Sequence, residues 1–114
     1  MDTLSYSPKV QDLVEAVLTS PGHCSPELRQ TVEAVAATRW GARRMPTAAL
    51  PEALRPYLEK VIFTAYKVTD KDIQRLIDAG YSEDELFELT VCAALGSGLA
   101  RMEKTMELLG GGAT

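Results

Sequence analysis

The residues able to do chemistry in this chain of 114 are few, and most stand without the company that chemistry needs. His23 is the single histidine and sits beside Cys24, which suggests a thiolate and general base pair. Adjacent side chains seldom point at one another, however, and no third orienting group is evident. Cys92 lies among Val91, Ala93 and Ala94, where burial raises a thiol pKa and makes it inert. One histidine and two cysteines also supply too little ligand chemistry for a metal cluster or a disulfide framework, so no metal or other cofactor is expected.

The basic-aromatic cluster Arg39, Trp40, Arg43 and Arg44 could grip a carboxylate or phosphate through bidentate guanidinium contacts, which makes Trp40, Arg43 and Arg44 candidate ligand-binding residues. The same arginines near a helix C-terminus would also complement its dipole. Glu83, Asp84 and Glu85 resemble paired catalytic carboxylates, but at a helix start such charges answer to the unpaired amides there. Gly96-Ser97-Gly98 lacks both the Lys-Ser/Thr ending of a phosphate loop and the spacing of a serine elbow, so helix packing is the better account.

The elements that would carry these residues read as helices throughout. Ser7-Pro8 and Ser25-Pro26 repeat one start signal, opening helices expected over Pro8 to Thr19 and from Pro26 to about Trp40, before Gly41. A connection through Pro46 leads to a short turn at Pro51 to Leu54 and a third main helix over Pro56 to Tyr66. Thr69 with Asp72, and Ser82 with Glu85, fit capping boxes; Val68 with Ile73, and Tyr81 with Leu86, fit hydrophobic staples. These frame a short helix over Asp70 to Ala79, ended by Gly80, and a long helix within Tyr81 to Leu109.

The long helix is the organising element. From Leu89 to Ala100 almost nothing is polar, so no ordinary solvated face is available. Cys92, Leu95, Leu99, Met102, Met106 and Leu109 trace a heptad-like seam expected to pack tightly, and Gly96 and Gly98 imply close approach of another helix. In so short a chain, burial nearly all round is expected to need a subunit partner, hence a homo-oligomer. The fold class is all-α, with five helices and a short sixth, in one domain over residues 1–109 with a flexible glycine-rich tail at 110–114.

A formal charge of −4 disfavours nucleic acid and anionic membrane as partners. No apolar run reaches the length of a membrane span, and no secretory signal is visible, so a cytoplasmic location is expected.

The run Pro56 to Leu109, and above all Ala79 to Leu89 (AGYSEDELFEL), resembles the carboxymuconolactone decarboxylase and alkyl hydroperoxidase D-like superfamily over about half the chain. The resemblance implies an alkyl hydroperoxidase D-like helical bundle that forms oligomers. Its thiol-peroxidase branch carries a C-x-x-C-x-x-x-H motif just before the equivalent of Gly80; here those positions hold Ala65, Val68 and Asp72. The branch's glutamate falls near Ala53, with Glu52 one place away. Dithiol peroxidase chemistry therefore lacks its nucleophile and its resolving thiol.

What the resemblance leaves is a non-redox, homo-oligomeric ligand-binding or assembly module, with a cofactor-free decarboxylase or lactone-type enzyme acting on a small carboxylate as the alternative. In that alternative Tyr66, Lys67 and Asp72 are the candidate catalytic residues and Arg43 and Arg44 the carboxylate clamp, with Tyr66 and Lys67 at the corner where the family's active site would open. A structural subunit of a larger complex fits the sequence equally.

Overall fold

A computed structural model describes residues 7–46 and 48–110, so the expected tail at 111–114 lies outside the described residues. Five α-helices follow one another: α1 (Pro8–Thr19), α2 (Pro26–Arg39), α3 (Arg55–Phe63), α4 (Asp70–Asp78) and α5 (Glu83–Leu108). Two 3-10 turns, Glu52–Leu54 and Ala65–Lys67, flank α3, and the described residues contain no strand. None of their helices is long and apolar enough to cross a membrane.

Local chemistry accounts for the boundaries. Ser7 and Ser25 accept hydrogen bonds from the amides of Val10 and Leu28, and each is followed by proline at the first helical position. Both capping boxes form, Thr69 with Asp72 and Ser82 with Glu85. Gly80, at φ +109°, closes α4: its amide donates to Ile77 O and that of Tyr81 to Leu76 O, the double bond of a Schellman end. The tight corner expected between α4 and α5 is thus built from these two backbone bonds and the Ser82–Glu85 capping box.

The third helix is shorter than the sequence suggests. It stops at Phe63; Thr64 takes φ −144° and ψ 58°, and the chain re-forms as the 3-10 turn Ala65–Lys67. The run Val61-Ile62-Phe63-Thr64 is β-branched or aromatic at every position, the residue types that lose most side-chain freedom in a helix.

The core forms where α2 lies along α5, with α3 and the 3-10 turn before it closing one side. Val32 and Ala36 of α2, Leu54, Leu58 and Ile62, and Leu86, Leu89, Cys92 and Ala93 of α5 form one buried cluster. Gly96 is the point of closest approach: a Cβ there would collide with the carbonyl of Glu33 and lie 3.1 Å from Ala36 Cβ. Gly98, by contrast, has nothing within 4 Å, so only one of the two glycines serves the approach of α2.

The heptad seam is split in the same way. Cys92 and Leu99 are buried, but Met102, Met106 and Leu109 are exposed, the last at 77%. Length explains Met106 and Leu109: α5, with 26 residues, is about 39 Å long, whereas α2, with 14, reaches about 21 Å. The final turns of α5 therefore run past the helix that covers its core face. On the side opposite the core, Phe87, Ala94, Gly98 and Met102 are also open, and α1, which buries no residue fully, leaves Leu13 55% exposed.

Candidate functional site

Two polar clusters flank the α2–α5 contact. In the first, Arg44 reaches from the connection after α2 to Glu33 Oε2 of α2 at 2.5 Å and Glu103 Oε2 of α5 at 2.7 Å. Glu33 is buried, and desolvation raises its carboxyl above the ordinary range although Arg44 pulls the other way. One guanidinium here serves two carboxylates. Arg44 is a tie between two helices and a connection, with its charge already answered.

The other members of the basic-aromatic cluster are distributed around the end of α2. Trp40 caps α2; its ring meets Phe63 at 5.2 Å between centroids, and the Arg101 guanidinium lies 4.1 Å from the indole centroid. The indole N–H is buried without a hydrogen-bond partner. Arg39 forms a bidentate pair with Glu59 at 2.6 and 3.1 Å and also lies over Phe63. Arg43 is exposed.

Tyr66, Lys67 and Asp72 do not converge. Tyr66 stands 83% exposed on its 3-10 turn, with the Lys67 ammonium 6.0 Å from its ring centroid. Asp72 faces elsewhere: Lys60 Nζ donates to its two oxygens at 3.0 and 2.8 Å, and the Thr69 amide donates at 2.8 Å. The Lys60 ammonium first, and the Thr69 amide with it, hold the Asp72 carboxyl at about 2, so it stays ionised at neutral pH. Its work is to close the α4 capping box and fasten α4 to α3. A general acid is not what this geometry makes of it.

The second cluster was not anticipated from sequence. Glu88 of α5 accepts the amides of His23 at 2.6 Å and Cys24 at 2.9 Å, capping the turn that leads into α2. The His23 amide is the main reason the Glu88 carboxyl sits below its usual range. Gly22 lies close beneath it: a Cβ there would lie 2.9 Å from a Glu88 oxygen and displace the carboxylate. Beside it the buried Arg29 donates to Val17 O at 2.9 Å and Ser20 O at 2.5 Å, meeting carbonyls at the end of α1. A cavity of about 180 Å³ opens here between α1 and α5, with Val17, Pro21, Arg29, Phe87, Glu88 and Val91 in its wall.

His23 and Cys24, though adjacent, have separate partners. The imidazole lies 3.7 Å from Asp84, while the thiol donates to Glu85 O at 3.6 Å. Burial, reinforced by Glu88, pushes the Cys24 thiol up to about 11, and burial pushes Cys92 to about 12. Neither is a thiolate near pH 7. Among the described residues no group of three His, Cys, Asp or Glu side chains could hold a metal ion.

Sequence did carry a signal for the missed residues. Arg29 and Glu33 stand four apart on α2, flanking Val32 and Ala36, so the apolar stripe has charged edges that two helices must bury. Their presence on a buried face requires partners from elsewhere in the chain.

No family model, curated protein or solved structure matches the chain.

Proposed function

We propose that this chain is a non-redox, carboxymuconolactone decarboxylase-like helical protein that works as a homo-oligomeric assembly module. The observation that carries the reading is the second face of α5. A helix whose core side is packed against α2 also presents Phe87, Ala94, Gly98 and Met102 on its open side, with Phe87 70% exposed. A helix apolar on opposite sides is a buried helix, and a single copy of this chain covers the second side only in part, where α1 lies beside Val91.

The chemistry of the polar side chains and thiols supports assembly as the function. Arg44 and Asp72 are engaged in ties between helices, and both thiols are held protonated. Two free cysteines, unbridged, suit a reducing compartment such as the cytoplasm. Light scattering on the purified chain at micromolar concentration is the test. The expected mass is two or more whole multiples of 12.4 kDa, and a mass of 12.4 kDa itself would refute self-assembly.

A further inference from the structure

We infer that the occupant of the open α5 face is a second copy of the same chain, with the two α5 helices antiparallel and Phe87 seated against the partner's Gly98. The inference rests on the self-assembly reading and adds to it a direction and a register.

Gly98 is the starting point. A glycine inside a helix is destabilising by roughly 1 kcal/mol relative to alanine, and at Gly98 nothing within 4 Å requires it, since a Cβ would enter open space. The single chain therefore offers no reason for it. Eleven residues earlier on the same face stands Phe87, the largest open apolar side chain of that stripe at 70% exposure. Between them lie Val91 and Ala94, giving spacings of 4, 3 and 4, the interval pattern of a helix-pairing seam.

In an antiparallel pair such a seam matches first position to last. Phe87 meets the partner's Gly98, Val91 meets the partner's Ala94, and both contacts occur twice by symmetry. The large side chain fills the room the glycine leaves. Charge selects the direction independently. The start of α5 carries Glu83, Asp84 and Glu85, whereas its later turns are balanced: Arg101 and Lys104 stand beside Glu103, which Arg44 engages, and Glu107, which lies 3.7 Å from Lys104. The register that seats Phe87 on the partner's Gly98 also sets Asp84 opposite the partner's Arg101, whereas a parallel pair would stack the acidic ends on each other. Val17 of α1 borders the Phe87 end of this face and extends the apolar surface.

The test exchanges knob and hole in the full chain. Gly98→Leu fills the hole and is expected to weaken the dimer at least tenfold by sedimentation equilibrium, with helix content by circular dichroism unchanged. Phe87→Ala is expected to weaken it similarly. The double variant Phe87→Ala/Gly98→Leu moves the bulk to the other side of each contact and is expected to recover most of the loss. A dimer indifferent to Gly98→Leu and Phe87→Ala overturns this register while leaving self-assembly standing. A double variant no better than the worse single one also overturns it. A wild-type chain that sediments as a monomer overturns register and assembly together.

Discussion

Gly96→Ala and Gly98→Ala make the same chemical change two residues apart on one helix, and the structure assigns them opposite signs. Alanine at either site gains roughly 1 kcal/mol of helix stability through the smaller entropy loss on folding. At Gly98 nothing opposes that gain within the chain, because the added methyl meets no atom within 4 Å. At Gly96 the methyl collides with the Glu33 carbonyl, a backbone atom that yields only if α2 moves away from α5. Overpacking of this kind costs about 1–3 kcal/mol, and a rigid backbone obstacle places it toward the upper end. The net expectation for Gly96→Ala is destabilisation by about 2 kcal/mol, a fall in Tm of roughly 8 °C in a domain of this size, and for Gly98→Ala a rise of roughly 4 °C. The assay is thermal and urea unfolding followed by circular dichroism, repeated down a dilution series so that dissociation of an oligomer is separated from unfolding of the chain. A Gly96→Ala protein as stable as the parent would refute the close approach of α2 to α5. A Gly98→Ala protein destabilised even at the lowest concentration would refute the open position of Gly98.

Replacing Arg44 with alanine leaves Glu33 and Glu103 facing each other without their shared cation, and a partly exposed site of this kind is expected to lose about 2 kcal/mol. The loss is expected to be smaller at pH 5 than at pH 8, because Glu33, already raised, can take a proton; urea midpoints at the two pH values decide it. Acid unfolding has a defined contributor in Asp72. Its carboxyl is depressed to about 2, so the stability it lends is present above the unfolded value near 4 and lost as pH falls toward 2; Asp72→Asn is expected to lower stability at pH 7 and flatten the decline in Tm between pH 4 and pH 2. The thiols are expected to be silent in the native state. At pH 7.5 a disulfide reagent is expected to label Cys24 and Cys92 only as fast as the protein opens, and prompt labelling of either thiol would contradict their burial and raised pKa. Above about pH 9 stability is expected to fall, since the unfolded thiols ionise there while the folded ones stay protonated to about 11 and 12.

Helix starts were legible because each is written in a few neighbouring residues. Ser7-Pro8, Ser25-Pro26, Thr69 with Asp72 and Ser82 with Glu85 all do in the structure what their spacing implies. Gly80 ends α4 for the same local reason. What the spacing could not convey was relative length and reach. The end of the seam, Met106 and Leu109, has the right period but lies beyond the end of α2, and period alone does not say where a neighbouring helix stops.

The polar residues show the same division. Asp72 was visible both as a cap and as a candidate catalytic group; Lys60, twelve positions away, fixes the first role by binding both its oxygens. Arg44 was visible as a potential clamp, and Glu33 and Glu103, 11 and 59 positions away, engage it. Glu88 escaped notice because its partners are two amides more than sixty residues earlier, a contact no local pattern encodes.

The dependence of α2 on α5 has a consequence for how the chain is made. During synthesis α2 is complete at Arg39, but the helix that covers it is not complete until Leu108, about 70 residues later. At roughly 5–20 residues per second, that interval lasts on the order of 4–14 s. Throughout it Val32, Ala36 and Ala37, together with the charges of Arg29 and Glu33, have only α1, the connection that bears Arg44 and the emerging α3 for company. The nascent chain is therefore most vulnerable to misassociation while it is being translated. Relief comes late and all at once, when α5 supplies the apolar cover for α2 together with the glutamates that engage Arg44 and the turn at Cys24.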